Sequence, residues 1–215
     1  MSEVQKHGFS FEQWIRDTFF ESYEGIYSQK WDVPTEHNKS KLVPAEFRRL
    51  PVSIKTTKQG SPVNLGDALR QFEISEDFVM ICGIWRQANS QEKHLVAIGA
   101  AKFSASAWRE LWAPLKLPEI KELDRTVKDR GLSYAEARIR AKAWQAGHPP
   151  RGDASLRINP KIDSKEQRRV QCSLPFASYC QAADLGGLVE ESAGAELFGK
   201  RYPGAIKSPP RTFRG

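Results

Sequence analysis

Asp32, in the run Lys30-Trp31-Asp32-Val33-Pro34, and Lys55, in the run Pro51-Val52-Ser53-Ile54-Lys55-Thr56-Thr57, are the residues whose types and spacing could do chemistry in this chain. The first run sets a lone acid near the end of one expected strand, and the second sets a lysine inside the next. A carboxylate held this way suits a hard divalent cation, and a lysine beside it can stand next to an attacking water and a charged phosphate. Metal-dependent phosphodiester cleavage needs that arrangement. The same spacing also fits an ordinary hairpin with a surface Asp and a surface Lys, so the elements that carry the two residues matter.

Those elements are read from periodicity and punctuation. Phe11, Trp14, Ile15 and Phe19 recur at helical spacing, which predicts an amphipathic helix over residues 9–21. Tyr23 to Asp32 is expected to contain a short strand with Trp31 packed inward, and Pro34 prevents a helix from starting beside Asp32. Residues 34–50, with Pro34, Asn38 and Pro44, read as a loop or irregular excursion. Val52 to Thr56 reads as a strand, and Gln59-Gly60-Ser61-Pro62 as a turn. Residues 66–73 are expected to form a short helix. Phe78 to Trp85 and Leu95 to Ala101 are apolar runs of strand length, the first apolar enough to be buried on both faces.

Ala105 to Trp112, Pro118 to Arg130 and Tyr134 to Gln145 read as helices, the last opened by a capping box of Ser133 with Glu136. Leu156 to Ile158 and Arg169 to Leu174 read as strands of a ribbon joined through Asp163-Ser164. The tail from Ser208 is Pro-rich and basic. The order of elements implies an α/β (mixed α+β) fold: a central mixed sheet flanked by helices, with a C-terminal basic region of helices and β-ribbon. One domain over 1–215 is expected, with 1–115 as its core and 116–215 as basic helices, ribbon and tail.

Composition narrows the class. The 215 residues include six Trp and eleven Phe and are 40% hydrophobic, which favours a packed core over disorder. The formal charge is +7, and from Arg125 to Arg169 twelve Lys/Arg stand against five Asp/Glu. The whole excess can be assigned to that stretch, and it favours a polyanionic partner. Three cysteines without C-x-x-C spacing suggest neither a disulfide framework nor a zinc site, and Cys82 reads as a small core residue. No apolar stretch approaches a membrane span and the N-terminus lacks a signal-like segment, so the cytoplasm is the expected compartment and a membrane is not an expected partner.

An Asp on one strand and x-x-Lys on the next, flanked by Val and Thr, resembles the PD-(D/E)xK nuclease superfamily, which includes restriction endonucleases, mismatch-repair nickases and junction resolvases. The Ser53-x-Lys55-Thr56 version, with Arg70-Gln71 and Glu73 further on, is similar to the restriction enzymes that recognise sites around CCGG. In that group the second acid has moved from the strand to the following helix. The resemblance covers residues 9–101 and implies catalytic roles for Asp32, Ser53, Lys55 and Glu73, with Mg²⁺ as cofactor. Asp32 and Glu73 would bind the metal. Asp67 is nearer to Lys55 in sequence and competes with Glu73 for the second place. The resemblance also implies that a first helix can bring an acid to the metals, here Glu12. Glu36 and Glu46, in the excursion, are further alternatives. The chain departs from the family in having Trp31 where a Pro normally precedes the first Asp, and in the longer spacing from Lys55 to Glu73.

For DNA, Arg169 and Gln171 alternate onto one face of the expected 169–174 strand, with Arg168 on the other, and Arg157 and Lys161 would line the partner strand. Arg and Gln can read guanine and adenine edges, and a two-stranded ribbon fits the major groove. A solvated edge strand whose charges prevent aggregation is the alternative. Arg138 and Lys142 on the preceding helix would contact phosphates. The expected protein is therefore a Mg²⁺-dependent endodeoxyribonuclease of the type II restriction kind. It would act on specific double-stranded DNA, as a homodimer, with a companion DNA methyltransferase for the same site. A structure-specific repair or defence nuclease, or an inactive DNA-binding protein on the same scaffold, is the alternative.

Overall fold

Phe11, Ile15 and Phe19 lie four residues apart on α1 (Glu3–Phe19), and all three are buried. This spacing turns one helix face into an apolar stripe. The stripe covers Val52, Ile54, Val79 and Ile81, alternate residues of two neighbouring strands, so the period of 3.6 meets the period of 2 in one core. Burying each of these aromatic or branched side chains is worth about 1.5–3 kcal/mol. Gly83 permits the close approach: a Cβ there would lie 3.0 Å from the Phe11 ring and from Leu95.

The computed structural model describes residues 3–25, 30–89, 92–163, 167–186, 195–204 and 206–207. It is a mixed α/β protein with six α-helices among those residues and a central mixed sheet flanked by helices. The chain forms two compact units that interleave in sequence. The first takes Met1–Ser61, Asp77–Phe103 and Tyr179–Gly215, and the second takes Pro62–Glu76 and Ser104–Ser178.

In the first unit β1 (Val52–Lys58) runs parallel to β3 (Phe78–Gln87), in the register Ile54↔Ile81 and Lys55↔Cys82. β3 pairs antiparallel with β4 (Glu92–Phe103), which pairs at its start with β9 (Ile206–Lys207). Seven successive residues of β3 from Phe78 are buried, as an apolar run in a sheet covered on both faces requires. Tyr179 is fully buried; its hydroxyl accepts a hydrogen bond from the Cys82 N–H at 3.0 Å and donates one to the Gly99 carbonyl at 2.7 Å. Cys82 and Gly99 are partners across β3 and β4, so one side-chain hydroxyl fastens the two strands. The excursion is better ordered than its Pro, Asn and Ser content suggests. It contains two 3₁₀ turns, Thr35–His37 and Ala45–Phe47, and buried Asn38 donates to the carbonyls of Phe47 (2.7 Å) and Leu50 (2.9 Å).

The second unit holds a three-stranded antiparallel sheet in the order β2 (Val63–Asp67), β6 (Arg168–Leu174), β5 (Arg157–Ile162). Around it are α2 (Ala68–Phe72), α3 (Ala105–Glu110), α4 (Leu117–Lys128) and α5 (Tyr134–Gly147). Trp108 and Trp112 anchor this core: the Trp108 indole donates to the Gln71 carbonyl at 2.9 Å, and Trp112 meets Phe72 edge-on at 5.2 Å. The capping box that opens α5 forms as expected, with the Glu136 N–H donating to the Ser133 hydroxyl and the Ser133 N–H to the Glu136 carboxylate.

Several expectations are corrected. Residues 66–73 are not all helical: Gly66 and Asp67 end β2, and α2 starts at Ala68. Gly66 follows a bulge at a φ of +88°, a conformation that suits glycine. Residues 30–32 bend and Val33 makes only an isolated bridge to Val52, so the strand expected before Asp32 is absent there; residues 26–29 lie outside the described set. The 157–174 ribbon is part of a three-stranded sheet rather than a free ribbon: β6 is central, so the edge strand expected there is not one, while β5 lies at the edge. The tail from Ser208 lies outside the described residues. Beyond the elements expected, the chain forms β2, α6 (Phe176–Ala182), β9 and a short hairpin of β7 (Glu196–Leu197) with β8 (Lys200–Arg201).

Candidate functional site

Val33 and Val52 exchange two backbone hydrogen bonds, of 3.1 and 2.8 Å. That single bridge fixes Asp32, the residue before it, against the start of β1. Asp32 Oδ2 then accepts three bonds from consecutive residues of β1: the Ser53 hydroxyl at 3.4 Å, the Ile54 N–H at 2.5 Å and the Lys55 ammonium at 3.0 Å. Lys55 Nζ also donates to the Ile54 carbonyl at 3.0 Å. The side chains of Lys55 and Asp32 are 21% and 28% exposed, so the pair is shielded yet reachable from solvent. All three bonds fall on Oδ2, and Oδ1 takes none among the described residues. One oxygen is therefore tied to the strand and the other is available to a ligand.

Glu12, on α1, joins this group. Its carboxyl is pushed above the usual carboxylate range, first by burial and then by the negative charge of Asp32, while Arg16 and Lys55 pull the other way. Glu12 and Asp32 therefore feel each other's charge. Arg16, one helical turn on, holds Glu12 Oε1 at 2.5 Å, and its guanidinium lies 5.9 Å from the centre of the Tyr23 ring. Sequence reasoning singled out Glu12 and passed over Arg16, although an acid and a base four apart on a helix signal such a pair.

The other sequence candidates fall elsewhere. Asp67 and Glu73 belong to the second unit. Asp67 is the N-cap of α2 and accepts the Arg70 N–H at 2.9 Å, and Glu73 is the exposed C-cap residue of the same helix. Glu36 and Glu46 are exposed on the two 3₁₀ turns, which Asn38 pins. Ser53 is buried beside Asp32. In the first unit, then, Asp32, Ser53, Lys55 and Glu12 come together. Among the described residues no three His, Cys, Asp or Glu side chains gather closely enough to form a metal cage.

The donor set present, two carboxylates within each other's field, is chemically apt for a hard cation that keeps several waters. Mg²⁺ is commonly held by one or two carboxylates plus substrate phosphate oxygens. The cysteines offer no competing site: Cys82, Cys172 and Cys180 are buried free thiols, and burial pushes all three above the ordinary thiol range.

The expected DNA-contacting residues divide into two sets. Arg168 is tied into the second unit: it donates to the carbonyls of Asp129 and, at 2.7 Å, Leu132, and stacks over Tyr134 at 4.8 Å. It clamps the turn between α4 and α5. Arg138 likewise donates to the Ile162 carbonyl at 2.9 Å, and Gln171 is buried on the central strand. By contrast Arg169 and Lys161 are exposed and directly opposite each other on β6 and β5. Lys142 is exposed on α5, and half-buried Arg157 lies 3.7 Å from Asp153.

No helix among the described residues is long and apolar enough to cross a membrane. The chain matches no protein-family model, no curated protein and no solved structure.

Proposed function

We propose that the chain is a divalent-cation-dependent endodeoxyribonuclease, acting on specific double-stranded DNA in the manner of a type II restriction endonuclease. The observation that carries this reading is the convergence of Asp32, Lys55 and Glu12 from three separate parts of the sequence onto the start of β1. Asp32 and Glu12 would hold Mg²⁺, which when bound lowers the pKa of a coordinated water and neutralises phosphoryl charge. The chain's own residues do the rest. Asp32 Oδ2, fixed by the Ile54 N–H, keeps the carboxylate from rotating. Lys55 presents an ammonium with one hydrogen left over from its bonds to Asp32 and Ile54, able to meet a phosphate oxygen or orient the attacking water. In-line displacement by water needs no covalent enzyme intermediate. The exposed Arg169 and Lys161 supply phosphate or base-edge contacts, and Lys142 adds phosphate contacts. A homodimer would cut both strands of a palindrome, and a companion methyltransferase would protect the same site in the host.

A second reading is a DNA-binding protein on the same scaffold without activity. Ser53 favours it, because a neutral buried hydroxyl stands where a second strand carboxylate would serve the metal better.

Digestion of unmodified phage DNA separates the two. Discrete bands that need Mg²⁺, vanish with EDTA and are lost in Asp32→Ala and Lys55→Ala support the restriction reading. A smear with the same dependences favours a structure-directed repair or defence nuclease. DNA retarded in a gel but never cut points to the inactive binder.

A further inference from the structure

We infer that Arg16 is a built-in counter-ion for Glu12, which must release that carboxylate before a divalent cation can use it, so that metal loading is coupled to arrival of the phosphate. This rests on the nuclease reading of the site. The geometry is a quartet of two acids and two bases. Lys55 pairs with Asp32 at 3.0 Å and Arg16 with Glu12 at 2.5 Å. With both carboxylates ionised and no metal, the quartet is neutral. Adding a divalent cation to it leaves two surplus positive charges in a half-buried place, which is unfavourable unless an anion comes with it.

The two bases are not equivalent. Lys55 also bonds the Ile54 carbonyl next to it, and so keeps its place on the strand. Arg16 is held to Glu12 through one terminal nitrogen, while its Nε is buried and has no hydrogen-bond partner among the described residues. Its guanidinium already lies near the Tyr23 ring, and Tyr23 in turn packs at a tilt against His37, with ring centres 4.2 Å apart. An aromatic face at this distance can retain a guanidinium that has let go of its carboxylate. A donor left unsatisfied in the closed pair makes that release cheaper than it would be for a fully bonded arginine. The scissile phosphate supplies the compensating negative charge, so DNA and metal should each tighten the other's binding.

Calorimetric titration with Mg²⁺ alone tests this on the wild type, Arg16→Gln, Arg16→Lys, Asp32→Asn and the double variant Glu12→Gln/Arg16→Gln, each checked for a wild-type-like thermal transition. Removing a unit charge a few ångströms from the site should tighten Mg²⁺ binding by about tenfold in Arg16→Gln, the size of a modest Coulomb term in a shielded setting. Arg16→Lys should stay near the wild type, because it keeps the competing charge. In the double variant the gain should disappear, since the carboxylate that Arg16 masks is gone. Unchanged or weaker Mg²⁺ binding in folded Arg16→Gln overturns the inference, as does a gain that survives in the double variant. A loss of DNA affinity measured in EDTA for Arg16→Gln, with Mg²⁺ affinity unmoved, would reassign Arg16 to phosphate contact. If the wild type and Asp32→Asn show equally no Mg²⁺ binding with and without DNA, the nuclease reading itself fails and takes this inference with it.

Discussion

Asp32→Asn is the substitution that most directly separates a chemical role from a structural one. The amide keeps the shape of the carboxylate and one acceptor oxygen, so the Ile54 N–H and the Lys55 ammonium retain a partner. What is lost is charge assistance on two short bonds, of 2.5 and 3.0 Å. The Ile54 bond falls from a charged acceptor, about 1.5–3 kcal/mol, to a neutral one, about 0.5–1.5, and the Lys55 ammonium loses its ion pair, about 1 kcal/mol in this partly exposed place, so the two contacts together lose about 2–3 kcal/mol. Relief of the repulsion between Asp32 and Glu12 works in the opposite direction, and partial exposure of the pair reduces both effects. The net cost expected at neutral pH is about 1–2 kcal/mol. A domain of ordinary stability, about 5–15 kcal/mol, stays folded through that loss. Cleavage, in contrast, should fall by at least about a thousandfold if Asp32 holds the metal, equivalent to about 4 kcal/mol of barrier. Urea unfolding and plasmid cleavage on one preparation compare the two numbers. Cleavage within tenfold of the wild type refutes the metal role. A stability loss above about 4 kcal/mol would instead mark Asp32 as a strut of the β1 entrance, and lost activity would then say nothing about chemistry.

Further expectations concern other parts of the molecule. Tyr179→Phe strands the Cys82 N–H and the Gly99 carbonyl inside the sheet and should cost about 2–4 kcal/mol; a fall in Tm of less than about 3 °C would refute the fastening role. Glu12 carries a pH signature. Between its ordinary value of 4.5 and the raised value in the folded protein, the folded state holds a proton that the unfolded state has released, so stability falls as pH rises through that window. Glu12→Gln lacks this loss, and chemical denaturation from pH 4 upward should show the variant gaining on the wild type and then levelling off; parallel curves would show that Glu12 is not burdened by its site. Arg169→Ala and Lys161→Ala should weaken DNA binding and each lower the salt slope by about one, whereas Arg168→Ala should lower stability by about 1–3 kcal/mol through loss of two carbonyl bonds. Fluorescence anisotropy against salt together with thermal melts distinguishes the two behaviours.

The parts of this fold legible in sequence were those with a strong local period. Phe11, Ile15 and Phe19 announce α1, the apolar run from Phe78 announces β3, and Ser133 with Glu136 announces the start of α5. β2 was hidden because Val63 to Asp67 is short and its Gly66 and Asp67 read as the opening of a helix. The strand order was hidden as well, since local pattern does not say that β6 receives β2 on one side and β5 on the other. For the candidate site, Asp32 and Lys55 were found from residue type and spacing, and the structure brings them to 3.0 Å. What could not be read was the division of the remaining acids. Asp67 is occupied as a helix cap, while Glu12, distant in sequence, lies in the field of Asp32. Likewise nothing in the run Arg168-Arg169 tells that one arginine is spent on backbone carbonyls while its neighbour is free in solvent.

The Tyr179 hydroxyl also bears on the order of events during synthesis. The residues it joins, Cys82 and Gly99, precede it by 97 and 80 positions, and the longer segment of the second unit, Ser104–Ser178, is threaded between them and it. A ribosome making this chain releases β1, β3 and β4 long before the group that completes their interior bonding emerges. Until then the face of the nascent sheet away from α1 lacks its later cover, such as Ala183 and Leu185 against Gly99, a period of exposure to aggregation that lasts as long as the intervening residues take to translate. Such a long closure makes for slow folding. It also means that Asp32 and Glu12, both on early segments, stand on an unfinished scaffold until α6 has been made.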